Sequence, residues 1–284
     1  MAKHISKVAV LIAGPTASGK SALALRLARE RNGVIINADA LQVYADLRIL
    51  TARPTITEER LTPHRLYGHV SGAESYSVGH WLKDASREIE SCWAAERLPI
   101  VTGGTGLFFK ALENGLAEVP AIAAGVRLHW RGFAGDLYGE LARRDPEGAA
   151  LLQPNDRQRL IRALEVIEGT GQPLRTWQKQ SVSPLADAVA ERHFVDVPRA
   201  ELHARAEARF DEMMSAGALD EVRAIAHLDP MLPMMKAIGV PELCAHLRGE
   251  IDLETAITHA KAATRQYIKR QSTWWRGQGK GWSV

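Results

Sequence analysis

Three short segments hold residues whose types and spacing can do chemistry. Residues 14–21 read GPTASGKS, a complete G-x-x-x-x-G-K-[ST] pattern. Glycines at this spacing let backbone N–H groups converge on an anion, and a helix starting near Lys20 adds its positive dipole end. Lys20 supplies a mobile positive charge and the Ser21 hydroxyl can ligate Mg²⁺. Gly14, Pro15, Thr16, Ala17, Ser18, Gly19, Lys20 and Ser21 are therefore the expected phosphate-binding residues. Asp39, in INADALQVY (36–44), follows a second apolar run. Two roles stay open for it: a carboxylate facing the phosphate loop across the edge of a parallel sheet, or the N-cap of a helix over ALQVYADL. IVTGGTG (100–106) is the third segment, with Thr102 and Thr105 among its glycines. Its spacing fails the G-x-G-x-x-G pattern, and both a tight turn and a ligand loop fit it.

An ATP-hydrolysing P-loop protein ends an apolar strand in an aspartate that holds Mg²⁺. Here the third apolar run ends in Thr-Gly-Gly, and Asp196 in HFVDV comes late and stands two residues before Pro198. Nucleotide hydrolysis is thus not the obvious chemistry.

Basic residues suggest where an anionic partner could lie. Lys261, Arg265 and Lys269 recur every four residues in KAATRQYIKRQSTWWR, a stripe that suits a phosphate backbone or a solvated helix face. Trp274 and Trp275 fit a core better than a stacking surface. Arg157, Arg159 and Arg162 crowd the first turns of a helix, where cations oppose the dipole. Arg205 and Arg209 are one turn apart and read equally as surface charges. The ten histidines form no H-E-x-x-H pattern.

These segments need elements to position them. Apolar β-type runs at Val8–Ala13, Val34–Asn37, Pro99–Thr102 and His193–Val197 alternate, over the first three, with helical periodicity at Ser21–Arg29 and Tyr76–Ala95. That alternation predicts an α/β fold, a parallel sheet flanked by helices. From Leu116 to about Ala186 strand-like runs vanish and RRDPEG, QPND and GTGQP break helical stretches. The expected division is a core over 1–115 and 187–284 with a helical insertion domain over 116–186. In the insertion, Asn155 or Asp156 caps a helix that Gly169 or Gly171 ends. A basic helix runs from about Leu253 to Arg276.

The 284 residues are 46% hydrophobic and 24% charged, with net charge +3, the composition of an ordinary globular protein that permits a nucleic-acid partner. No run reaches the roughly 18 apolar residues of a membrane span. The lysine-led N-terminal run ends in Gly14-Pro15 and reads as a first strand, not a signal peptide. Cys92 and Cys244 fit no metal spacing, which favours a reducing, cytoplasmic setting.

Taken in order, GPTASGKS, NADALQVY, TARP, SYSV, VTGGTGLFFKAL, PNDRQRLIRALEV, RAEARFDEMM, KAIG and ATRQYIKRQSTWWR resemble the tRNA dimethylallyltransferase family over nearly the whole chain. Ala40 departs from the family's usual serine, Leu50 and Arg53 from its Gly-Thr-Ala-Lys-Pro, and Phe108 from a common tyrosine.

The resemblance implies a P-loop NTPase-like fold and transfer of a dimethylallyl group from dimethylallyl diphosphate to the N6 amine of an adenosine. That adenosine lies 3′-adjacent to the anticodon in tRNAs reading codons that begin with U. Residues 14–21 would then hold the diphosphate with Mg²⁺ at Ser21. Asp39 matches the general base, and Lys20, Thr105 and Arg209 match catalytic positions. Asp39, Ala40, Leu41, Gln42, Thr105, Arg127, Gln158, Arg159, Leu160, Ile161 and Arg162 match tRNA-contacting positions, so the insertion would close over the anticodon stem-loop and the C-terminal stripe would favour RNA. A monomer is expected. A P-loop kinase and a non-enzymatic RNA-binding protein are the competing readings, weakened by the missing magnesium aspartate and by the complete phosphate loop.

Overall fold

The computed structural model describes residues 7–279, 281 and 282. The chain divides into two compact units, Met1–Glu113 with Leu185–Val284, and Asn114–Pro184.

The first unit is built on a five-stranded sheet in which every pairing is parallel. Its strands are β1 (Val8–Ala13), β2 (Gly33–Asn37), β3 (His64–Arg65), β4 (Leu98–Gly103) and β5 (Val189–Phe194), in the order β3-β2-β4-β1-β5. Side chains alternate across a strand, and the central strands are apolar on both faces. Val10, Ile12, Ile35 and Ile100 pack on one side against Ala24 and Ala28 of α1 (Lys20–Glu30). Leu11, Val34, Ile36 and Val101 pack on the other against Trp81, Ala85 and Ile89 of a helix at Val78–Ala94. Each buried valine, leucine or isoleucine among these contributes about 1.5–3 kcal/mol. That second helix is α3, after the short α2 (Ile56–Leu61).

β5 corrects the expected His193–Val197 strand by about four residues towards the N-terminus. Its residues VAERHF sit at the sheet edge and leave Val189 exposed. Glu191 pairs with Arg31 and Arg192 with Glu113, so the strand carries charges that hide it from an apolar pattern. ALQVYADL is also corrected: residues 38–50 form turns and bends, with no helix for Asp39 to cap.

Beyond β4 come α4 (Gly106–Asn114) and then the second unit, an all-helical body of α5 (Ala124–Gly132), α6 (Leu137–Arg144), α7 (Pro146–Ala149), α8 (Arg157–Thr170) and α9 (Leu174–Gln178). Trp130, Leu137, Leu141, Leu160 and Leu164 form its core. Asp156 caps α8 through the Arg159 N–H, and Gly171 ends it with a left-handed backbone. The first unit resumes with β5 and closes with α10 (Arg199–Ser215), α11 (Ala218–Ile225), α12 (Val240–Leu247) and the 26-residue α13 (Leu253–Gln278). Trp275 is buried and Trp274 packs on the core beside it.

Candidate active site

The phosphate loop leaves the carboxyl end of β1 and turns directly into α1. Gly19 has φ +92°, a left-handed backbone that a Cβ would strain, and Ala17 adopts φ +63°. Helix α1 starts with no side-chain cap and no acidic residue in its first turn. Its first N–H groups are thus left for an anion. By contrast α3, α8 and α13 are each capped by their own Ser77, Asp156 or Asp252. The Ser18 hydroxyl is buried in the loop with no protein partner, a donor that a bound phosphate oxygen could take up.

Asp39 stands just past β2, on the same sheet edge. Buried Asn37 holds the turn by accepting from the Asp39 N–H at 2.8 Å and donating to its carbonyl at 3.0 Å. One carboxylate oxygen, Oδ1, accepts from the Leu41 N–H at 3.0 Å. The loop after β4 is stitched to this turn. Thr105 accepts the Ala40 N–H through its hydroxyl at 3.0 Å and donates its own N–H to the Ala38 carbonyl at 3.2 Å. Gly103 lies so close to Ala38 that a Cβ there would overlap the Ala38 carbonyl. The third segment is therefore a brace for Asp39.

Lys20 donates to the Pro15 carbonyl at 3.1 Å. Its ammonium is desolvated, and burial lowers its pKa to about 8, with Asp39 pulling upward and Arg209 pushing further down. Arg209 is itself shifted down by burial. Two cations and one carboxylate thus act on one another around the loop. Thr16, Asp39, Arg209, Thr264 and Tyr267 line a cavity of about 90 Å³, with Leu41, Leu50, Phe210, Met213 and Ile238 as its apolar lining. Such a space suits a small apolar group joined to an anion.

Two residues of α13, both within the ATRQYIKRQSTWWR segment, belong to this site without having been singled out by it. Gln271, almost fully buried, accepts the Thr16 N–H at 2.9 Å and donates to the Gly104 carbonyl at 3.0 Å. The Tyr267 phenol lies beside Thr105 and Gln271, and burial together with Asp39 raises its pKa. Beyond that segment, their signal is a pair of polar residues four apart on a helix face that is otherwise buried against the core.

Among the described residues no group of three His, Cys, Asp or Glu could hold a metal. Mg²⁺ dehydrates reluctantly and is commonly held by substrate phosphates, water and one or two protein oxygens. The exposed Ser21 hydroxyl on the first turn of α1 and the unpartnered Ser18 hydroxyl fit that mode.

Gln42 donates to the Thr51 and Ala52 carbonyls, at 2.8 and 3.0 Å, and so holds the turn that carries TARP. Of the expected positions in the second unit, Arg127, Gln158 and Arg159 are exposed. Leu160 is 1% exposed, its side chain packed in the helical core rather than turned to solvent, and Ile161 packs against the same cluster. Arg159 pairs with Asp156, and Arg162 and Arg131 with the buried Glu165. These acids offset the dipole cost of the clustered arginines. In the C-terminal stripe Lys261 pairs with Asp211 and Arg265 with Glu207 of α10. Of the three, Lys269 remains an exposed cation with no ion pair among the described residues. Phe108 stacks on Trp81 at 4.3 Å in the core, and Arg53 donates to the Tyr44 and Ala45 carbonyls.

Comparison with known proteins places this architecture. The model of the IPP transferase family matches residues 42–278, and that of isopentenyl transferases matches residues 7–70. The chain belongs to the IPP transferase family. It is accordingly an enzyme of the prenyl-transferring class. Within the family it is 56% identical to the tRNA dimethylallyltransferase of Methylobacterium nodulans over 96% of this chain and 93% of that one. It is 53% identical to that of Azorhizobium caulinodans over 98% and 92%. The tRNA isopentenylpyrophosphate transferase of Bacillus halodurans superposes with TM-score 0.68 at 32% identity, over 96% of this chain and 88% of that one. A eukaryotic dimethylallyltransferase acting on tRNA superposes with TM-score 0.83 at 28% identity, over 95% and 70%. The P-loop NTPase-like parallel sheet is thus the framework this chain shares with solved IPP transferases.

Proposed function

We propose that this chain is a tRNA dimethylallyltransferase. It transfers the five-carbon group of dimethylallyl diphosphate to the N6 amine of the adenosine 3′-adjacent to the anticodon, in tRNAs reading codons that begin with U. The observation that carries the reading is the shared cavity: Asp39, Arg209 and Thr16 line one small space with an apolar side. An anion-binding loop and a carboxylate face each other across it.

In this mechanism the carbon–oxygen bond between the dimethylallyl C1 and the diphosphate breaks as the N6–C1 bond forms. Diphosphate leaves with the bonding electron pair, and the N6 proton passes to Asp39. The loop N–H groups, Lys20 and Arg209 stabilise the charge that grows on the leaving oxygen. Mg²⁺, when bound at Ser21 with the diphosphate, supplies further neutralisation of that charge. Adenine's amine is a poor nucleophile because its lone pair is delocalised, so proton removal during attack matters, and general-base help is typically worth about 10²–10⁴ in rate. Thr105 and Ala40 hold Asp39 at its task. The adenosine leaves the anticodon stack at a cost of a few kcal/mol. Leu41, Gln42, Arg127, Gln158, Arg159 and Arg162 are read as tRNA contacts on family resemblance.

The test incubates the protein and Mg²⁺ with unmodified tRNA and either dimethylallyl diphosphate or ATP, followed by mass analysis of the digested nucleosides. Isopentenyladenosine is expected with the isoprenoid donor alone. Folded protein that yields none on a suitable tRNA would overturn the assignment.

A further inference from the structure

Of the titratable side chains that line the cavity, Asp39 and Arg209 have tasks in the transfer and Tyr267 has none. Its place is set by α13. Thr264 and Tyr267 share the helix face that lines the cavity, and Gln271, one turn further on, ties that helix to Thr16 and Gly104. A Cβ built on Gly104 would lie 2.3 Å from Gln271 Nε2 and 3.6 Å from Asp39 Oδ2. Gln271 and the Asp39 carboxylate thus meet over Gly104, and the Tyr267 phenol lies beside Gln271 and Thr105. Burial, reinforced by the Asp39 charge, holds that phenol protonated and hence a hydrogen-bond donor. On Asp39, Oδ1 accepts the Leu41 N–H, which leaves Oδ2 to take a substrate proton. The apolar lining supplies no donor. It includes Leu50, whose backbone Glu221 of α11 clamps: the carboxylate accepts the N–H groups of Arg48, Ile49 and Leu50, the last two at 2.8 and 2.9 Å.

We propose that Tyr267 reads the acceptor base, donating its O–H to a ring nitrogen that flanks the N6 amine while Asp39 Oδ2 takes the N6 proton. The inference deepens the adenosine reading above and rests on it. Adenine's N6 amine is flanked by N1 on one edge and N7 on the other, so each edge sets a donor beside an acceptor. A carboxylate and a phenol lining one cavity present the complementary pair, an acceptor and a donor. Guanine carries the O6 acceptor in place of the amine, so it offers Asp39 no proton and sets oxygen against oxygen.

The experiment measures transfer from dimethylallyl diphosphate, with Mg²⁺, to anticodon stem-loops carrying adenosine, 1-deazaadenosine or 7-deazaadenosine at the acceptor position, for the wild type and Tyr267→Phe. Stem-loop binding to both proteins is followed by fluorescence anisotropy in parallel. Each deaza base replaces one flanking nitrogen with C–H and alters the amine equally for both proteins. The ratio of wild-type to variant kcat/KM therefore isolates the contact. On adenosine, Tyr267→Phe should lower kcat/KM about 2–10-fold, the worth of one neutral hydrogen bond. The loss should disappear on the deaza base that lacks the contacted nitrogen and persist on the other. An equal loss on all three bases makes Tyr267 structural and overturns the inference, as does the absence of any loss on adenosine. If Tyr267→Phe does not fold, Tyr267→Leu, which also lacks the hydroxyl, decides by the same ratios. A wild type that binds the stem-loops and transfers to none counts against the transferase reading instead, and the binding ratios across the three bases then decide the role of Tyr267.

Discussion

Gln271 holds the main chain of Thr16: the last helix of the chain accepts, at 2.9 Å, an N–H from its first loop. The other end of the same amide donates to Gly104, so one side chain sets the spacing between the phosphate loop and the brace behind Asp39.

Gln271→Met keeps the shape and removes both hydrogen bonds. Two buried main-chain groups lose their partners, at about 1–3 kcal/mol each. A misplacement of about 1 Å can cost about 10²-fold in rate, so kcat should fall about 10–100-fold while KM for tRNA changes far less. Steady-state kinetics check this split. Equal loss in stability without a kcat effect would reduce Gln271 to a structural residue.

Asp39→Ala should slow single-turnover transfer by about 10²–10⁴ and leave tRNA affinity within a small factor. Quench measurements at saturating tRNA separate the two quantities. An unchanged single-turnover rate removes Asp39 as the base.

The Lys20 ammonium loses its proton near pH 8 in the folded chain. Donor kcat/KM should therefore fall as pH rises through about 8, because the neutral amine no longer attracts diphosphate. The effect on stability has the opposite sign. Between about 8 and the ordinary lysine value of 10.5, the unfolded chain binds more protons than the folded one, so unfolding free energy rises with pH. Denaturant midpoints across that window, compared with Lys20→Met, test the sign, and Lys20→Arg should flatten the alkaline limb of kcat/KM.

Leu160→Ala should destabilise the helical unit by about 2–5 kcal/mol, and Asp156→Ala by about 1 kcal/mol through the lost cap. Hydrogen exchange within residues 114–184 reads both. Arg159→Ala should leave that exchange nearly unchanged, because an exposed arginine–aspartate pair is worth little.

Much of this was legible in the residues. The central strands are apolar on both faces, so Val8–Ala13 stands out as a parallel-sheet strand, and GPTASGKS announces its own backbone. β5 was misplaced because Glu191 and Arg192 find ion partners that a local pattern does not contain. One of the two roles open to Asp39, a helix cap, rested on the local pattern of ALQVYADL. Asn37 and Thr105, one local and one distant, hold it otherwise. The role of Gln271 was not legible, although ATRQYIKRQSTWWR contains it, because its partners are two main-chain groups more than 150 residues away. The acids that pair with the basic stripe of α13 lie on α10 and are likewise distant in sequence.

The Glu221 clamp has a consequence for how such an enzyme can diverge. It grips three main-chain amides and no side chain, so the path of residues 48–50 does not depend on which amino acid stands at position 50. A lineage can therefore exchange that side chain, and with it part of the cavity lining, while the main chain of residues 48–50 stays where it is. Position 50 is a place where mutation can reshape the cavity wall without first undoing the fold around it.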